Sequence, residues 1–328
     1  MSTPLLDRAS ALPAEAVSPL VDLLVSLADN KHALGLRFAE WCSSGPTIEA
    51  GVAATAMAQD ELGHARVLYG LLEDLPGAPR RSDREWAAED ARTVALVAES
   101  FPSWPHAIVA NVLLDRALTF VLQSAADSRY LPLQQRSRKL IEEERFHTVH
   151  GHGWLRQLAA EGPSFCSRLE GIIRAGWADT LCWFGPGEGG ALVPLVRAGI
   201  LHEAGEAVRQ RFLRDVGPLF SEAGLAIPLE PAANGWALKE PLPWTNWDET
   251  NRRVWMDDAP SGAQRPGRPL LGVRAADRAQ SPAVCPFCGS GNTELISLFG
   301  STSLTSRYHC RECRSAFEQV KWGSLGEP

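Results

Sequence analysis

Gln59-Asp60-Glu61-Leu62-Gly63-His64 and Glu142-Glu143-Glu144-Arg145-Phe146-His147 decide the reading of this chain, because each carries a glutamate and a histidine three residues apart. On a helix that spacing puts the carboxylate and the imidazole on one face. Glu61 and His64 share their face with Met57, Leu68 and Leu71, and Glu144 and His147 share theirs with Leu140 and Gly151. Both pairs therefore fall on stripes that face a core. A carboxylate buried without a partner is costly. Two such pairs meeting in one interior need cations between them, and a pair of metal ions supplies the charge.

Around these motifs the chain reads as helix from about Pro19 to Leu158, broken at Ser43-Ser44-Gly45-Pro46, Pro76-Gly77-Ala78-Pro79 and Pro102-Ser103-Trp104-Pro105. Leu20, Leu24, Leu27, Leu34, Phe38 and Trp41 form the interior stripe of the first helix. The second runs from about Thr47 to Leu75, the third from about His106 to Ser128 and the fourth from about Pro132 to Ala160. The expected fold is all-α, a ferritin-like four-helix bundle with accessory helices. Bundles of the di-metal carboxylate class use Glu-x-x-His from two helices and one carboxylate from each of the other two. Asp115, the acid in the apolar middle of the third helix, fits the fifth donor position.

The sixth donor should come from the first helix, and there the pattern departs. Glu40 lies beside the turn at Ser43 to Pro46, whereas Glu61 lies roughly 20 Å along the second helix. Glu40 is thus at the wrong level. The matching level is residues 28 to 31, where the interior stripe passes through Lys31 and not Asp29. Two arrangements remain open: Asp29 or a water completes a two-metal site, or the Lys31 ammonium pairs with the carboxylates and displaces one metal.

Beyond the fourth helix, Phe165 to Trp183 and Ala198 to Ala223 have helical periodicity and are expected to pack on the bundle. Trp236, Trp244, Trp247 and Trp255 suggest an irregular tail laid over the core. The bundle is expected over residues 1–257, a linker rich in Pro, Gly, Ala and Arg over 258–282, and a small β zinc ribbon over 283–328. Cys285-Pro286-Phe287-Cys288 and Cys310-Arg311-Glu312-Cys313 carry the spacing of a tetrahedral thiolate site for one zinc. Strands are expected at Thr293 to Leu298 and Leu304 to His309. Such a module has little core, so the metal supplies much of its folding energy. Cys42, Cys166 and Cys182 stand singly and read as small buried hydrophobes.

The chain has 328 residues, of which 45% are hydrophobic, which suits a protein with a sizeable core. A net charge of -7 with both signs mixed offers no basic face for nucleic acid. No apolar run of about 18 residues and no signal-like start are apparent, so a soluble cytoplasmic protein without membrane contact is expected.

Residues from about Leu24 to Arg253 resemble the oxygenase subunits of ring-1,2-phenylacetyl-CoA epoxidase, on Ala58-Gln59-Asp60-Glu61-Leu62-Gly63-His64-Ala65-Arg66, Leu114-Asp115, Glu143-Glu144-Arg145-Phe146-His147 and Trp183-Phe184-Gly185-Pro186. The resemblance implies two irons held by Glu61, His64, Asp115, Glu144 and His147, with Glu61 and Glu144 in catalytic roles as bridging or chelating carboxylates. Leu27-Ala28-Asp29 and Phe38-Ala39-Glu40-Trp41-Cys42 look instead like the companion subunit, which is similar in fold and has no working metal centre. Residues 285 to 321, with Thr293-Glu294-Leu295-Ile296-Ser297 and Phe299-Gly300-Ser301-Thr302, are similar to the zinc ribbon of a protein implicated in assembling that oxygenase. The resemblance implies an oxygenase component acting on an aryl-CoA thioester, a homologous subunit or a second copy as partner, and a separate reductase as electron donor. Its alternative is a non-catalytic scaffold or assembly subunit. Asp60 and Glu143 are candidates to orient the imidazoles.

Overall fold

The computed structural model describes residues 5–80, 90–187, 189–233, 235–255, 283–297 and 305–320; the expected linker at 258–282 lies outside the described residues. Four long helices form the bundle: α1 (Ala14–Ala39), α2 (Ile48–Leu72), α3 (Trp104–Ser124) and α4 (Leu131–Ala160). Thr47 starts α2, its hydroxyl accepting the Ala50 N–H at 3.2 Å and satisfying one of the free donors of the first turn. Gly35 lets α1 and α2 approach closely, since a Cβ there would lie 2.7 Å from Leu62 Cγ. That contact sets Lys31 and Glu61 at one level.

The third helix differs from the regular helix expected between His106 and Ser128. It starts at Trp104, with Pro105 in its first turn where a missing N–H costs nothing. Asn111–Asp115 then winds as a π-turn before α-geometry resumes at Arg116. By length and composition α3 could cross a membrane, contrary to the expectation that no run is long or apolar enough, yet 89% of that window is buried inside the protein and Asp115 sits within it. It is the central helix of the bundle.

Two further helices, α5 (Pro163–Trp183) and α6 (Glu206–Glu222), cover the bundle, with short helical turns at Ala95–Ala98 and Val193–Arg197. The last helix begins later than the expected Ala198, because Gly199 and Gly205 take φ of 68° and 57° and break the run. The tryptophan-rich tail forms two small antiparallel hairpins, β1 (Leu229–Ala232) with β2 (Gly235–Leu238) and β3 (Trp247–Asp248) with β4 (Arg253–Val254). Asp179 on α5 pins the second hairpin to the bundle, accepting the N–H groups of Val254 and Ala95, each at 2.7 Å.

The C-terminal module is a three-stranded antiparallel sheet of β5 (Thr293–Ser297), β6 (Thr305–Cys310) and β7 (Ala316–Val320). Its third strand adds to the two expected from sequence, and the expected strand ends at Leu298 and Leu304 fall outside the described residues. The first cysteine turn rests on the bundle: the Trp104 N–H donates to the Pro286 carbonyl, Arg168 donates to the Phe287 carbonyl at 2.8 Å, and the Phe165 and Phe287 rings stand edge to face at 6.2 Å. Of the three remaining cysteines, Cys182 is buried, and Cys42 and Cys166 are half-buried.

Candidate metal centre

Lys31, Glu61, Asp115, Glu144, His64 and His147 meet at the middle of the bundle, contributed by all four long helices. None is more than 2% exposed. The five donors anticipated from sequence are thus brought to one place, and the two imidazole rings lie 6.2 Å apart. Glu61, Asp115, Glu144 and His147 each offer a donor atom within 4.8 Å of the others, so the cluster could hold a metal ion such as iron.

Between the alternatives for α1, the geometry selects Lys31. Its ammonium donates to Glu61 Oε1 at 3.0 Å, to Asp115 Oδ1 at 2.5 Å and to Glu144 Oε1. Asp29 is equally buried but faces away from the centre. Its carboxylate accepts the Tyr69 hydroxyl at 2.6 Å and the Arg92 N–H at 2.8 Å, tying α1 to α2 and to the segment before α3. Next to it, Asn30 Oδ1 accepts the Val94 N–H at 3.0 Å. Glu40 is far from the centre and pairs with Arg37 and Ser100.

The two motifs brace one another crosswise. His64 Nε2 of α2 meets Glu143 Oε2 of α4 at 2.8 Å, and His147 Nε2 of α4 meets Asp60 Oδ2 of α2 at 3.3 Å. Glu143 and Asp60 are half-exposed, so each ring has one nitrogen on a surface carboxylate and the other, Nδ1, turned inward. A carboxylate behind an imidazole fixes its tautomer and its aim. Inward, His147 Nδ1 lies 3.1 Å from Asp115 Oδ2 and 3.2 Å from Glu61 Oε1, while His64 Nδ1 lies 3.1 Å from Glu144 Oε1.

Charges in this small volume control one another. Burial works to lower the Lys31 pKa, but Asp115, Glu144 and Glu61 outweigh it and hold the ammonium charged well above its ordinary value. Burial likewise opposes charge on Asp115, and Lys31 and His147 overcome it, leaving that carboxyl well below the usual range. Glu61 goes the other way: burial and then the Asp115 charge push it up to about 7. For His147 the opposing burial is overcome by its bonds to Asp115, Asp60 and Glu61, which raise its pKa. Three buried polar atoms of the centre, Glu61 Oε2, His64 Nδ1 and Asn111 Oδ1, have no hydrogen-bond partner of good geometry among the described residues.

Two contributors, Asn111 and Thr119, went unnoticed in the sequence, and a third, Gly151, was placed on the interior stripe without a role. Asn111 donates to Asp115 Oδ2 at 3.0 Å across the π-turn, and Thr119, one turn further on, donates to Glu144 Oε2 at 3.0 Å. Gly151 on α4 makes room for Asn111, since a Cβ there would lie 1.7 Å from Asn111 Oδ1. The only signal was spacing: Asn111, Asp115 and Thr119 recur every four residues on one stripe.

In the ribbon, Cys285 Sγ lies 3.6 Å from Cys313 Sγ and Cys288 Sγ lies 3.4 Å from Cys310 Sγ, with all four sulfurs within 4.8 Å of one another. Zinc–sulfur bonds of about 2.3 Å in a tetrahedron place sulfurs about 3.8 Å apart, so the four thiolates fit one zinc.

Comparison with known families matches both parts of the chain. The profile of the phenylacetic acid catabolic protein family covers residues 1–239, and that of the PaaD zinc beta ribbon domain covers residues 272–321. A comparison with curated proteins finds no match.

Proposed function

The chain belongs to the phenylacetic acid catabolic protein family, and from that premise we propose that it is the non-catalytic companion subunit of a multicomponent aryl-CoA oxygenase, its ribbon serving assembly. The observation that carries this reading is the Lys31 ammonium, buried among Glu61, Asp115 and Glu144. A di-iron centre of this architecture takes a carboxylate from each of the four helices. Here α1 supplies a cation instead. Two irons do not fit while Lys31 keeps its place, because all three carboxylates already spend an oxygen on the ammonium and the fourth carboxylate is missing. The bundle is then held by an internal salt-bridge network and offers its surface to a catalytic homologue.

A second reading, the oxygenase component itself, draws on the unpaired Glu61 Oε2 and on two inward-facing imidazoles, which are more than a salt-bridge network needs. Iron, when bound, would supply dioxygen activation for epoxidising the aromatic ring of an aryl-CoA thioester. In that reading Glu61, His64, Asp115, Glu144 and His147 hold the metal, and Asp60 and Glu143 aim the imidazoles. Phenylacetyl-CoA is the substrate that the resemblance to the epoxidase subunits implies, and the family's part in phenylacetic acid catabolism supports that class.

Reconstitution separates the two. The chain is combined with a catalytic homologue and a reductase, and epoxide formation from phenylacetyl-CoA is measured with wild type and with Glu144→Gln. A companion subunit gives equal turnover with both, provided the variant still assembles. Turnover lost with Glu144→Gln in an intact complex would assign the chemistry to this chain and overturn the companion reading.

A further inference from the structure

We propose that the bundle centre binds one divalent cation, not two, at Glu61, Asp115, Glu144 and His147, with the Lys31 ammonium standing in permanently for the second. The inference deepens the companion reading and is read out separately from it, because the ion count is measured on this chain alone and does not depend on turnover of the assembled complex.

Charge arithmetic leads to it. An imidazole that ligates a metal gives up its extra proton, so with His147 as a ligand, and with His64 balanced by Glu143 on its outer nitrogen, three carboxylates and one ammonium leave a formal charge of minus two in a volume closed to water. One divalent ion cancels that charge. A second ion would leave the core at plus two, a large unbalanced charge to bury. Had α1 carried a carboxylate in place of Lys31, the count would be minus four, and two ions would balance it. Exchanging a carboxylate for an ammonium changes the charge by two, the charge of a single metal ion.

The geometry divides the centre in the same way. Asp115 turns Oδ1 to Lys31 and Oδ2 to His147 Nδ1 at 3.1 Å. Glu144 likewise turns Oε1 to Lys31 and Oε2 to the His147 side, 3.7 Å from Nδ1. Glu61 meets Lys31 and His147 Nδ1 through Oε1, at 3.0 and 3.2 Å, and its Oε2 is buried with no partner among the described residues. The carboxylates thus bridge two positions, and an ammonium fills one of them. Around the other, donor separations of 3.1 and 3.2 Å match the edge of a coordination polyhedron, since bonds of about 2.1 Å place neighbouring ligands about 3.0 Å apart. His147 aims Nδ1 into that position because Asp60 holds its Nε2. Carboxylate and imidazole donors suit manganese(II), iron(II) or zinc.

Manganese(II) tests the proposal, since it does not compete for thiolate-bound zinc. The full-length protein, with its ribbon zinc retained, is stripped of other metals and equilibrated with MnCl2, then desalted; bound manganese and zinc are counted by mass spectrometry and the manganese EPR spectrum is recorded. The expected wild-type result is one manganese per chain with the six-line spectrum of an isolated ion. Lys31→Glu should bind two, with the broadened spectrum of a coupled pair, and His147→Ala should bind at least tenfold more weakly. Two manganese ions in the wild type, none at all, or unchanged affinity in folded His147→Ala would each overturn the proposal. If Lys31→Glu does not fold, the wild-type count and spectrum remain decisive.

Discussion

Replacing Lys31 with methionine keeps the aliphatic stem and removes the charge shared by Glu61, Asp115 and Glu144. All four side chains are at most 2% exposed, so water has no access to take the ammonium's place. Removing one partner from a buried ion pair costs about 3–5 kcal/mol. Roughly 2–4 °C of melting temperature go with each kcal/mol in a domain of this size, so Tm should fall by roughly 6–20 °C. The sign of the pH dependence is also defined. In the variant, burial and mutual repulsion raise the folded-state pKa values of the carboxylates above their unfolded values. Stability is then fully present at low pH and is lost as pH rises through the raised values, so the deficit against wild type narrows on acidification. Scanning calorimetry at about pH 5 and about pH 8 reads both effects. A Tm within about 2 °C of wild type at both values would show that Lys31 does not hold the three carboxylates together.

Other consequences can be measured in the same protein. Gly151→Ala puts a methyl group onto Asn111 Oδ1 and should cost about 1–3 kcal/mol in urea unfolding, an effect that a double variant with Asn111→Ala should largely relieve; strictly additive losses would count against the contact. Asn111→Ala alone removes the amide that bonds Asp115 and should cost about 1.5–3 kcal/mol, so an unchanged midpoint would remove Asn111 from the site. His150, packed against Trp104 and Trp154, is pushed down to about 4 by burial and by the charge of His147. Its folded pKa lies below the unfolded one, so its share of stability is present above about pH 6.5 and is lost as pH falls toward about 4, by at most about 3 kcal/mol. His150→Phe should flatten that limb of the Tm–pH curve, and parallel curves would refute the assignment. Cys310→Ser should release the ribbon zinc and expose the 285–288 turn to protease while leaving the helical circular dichroism in place; full zinc retention would contradict the four-thiolate site.

The bundle was legible because Glu-x-x-His carries its own geometry: three residues along a helix is one face, whatever the partners. The levels of Lys31 and Glu61 could be matched by counting rises along antiparallel helices, and Asp115 stood out as an acid in an apolar run. Two things were not legible. The interior stripe pointed to Lys31, but whether a small rotation would bring Asp29 in instead depends on packing at Gly35 and Leu62, a tertiary contact that no local pattern encodes. The π-turn at Asn111–Asp115 has no sequence signature of its own, because wide hydrogen-bonded rings form where burial and partners favour them and not where propensity demands. The late start of α6 could have been read from Gly199 and Gly205, since their positive φ is a local property of glycine.

The extra residue absorbed by that π-turn gives α3 a length tolerance that regular helix does not have. Deleting a single residue between Asn111 and Asp115 would let the turn close into ordinary winding while Asp115 and Thr119 keep their inward aim. The same deletion between Arg116 and Thr119 would pass about 100° of rotation to everything downstream and swing Thr119 off the interior, although no side chain had been exchanged. A designer shortening the helix would therefore begin inside the turn.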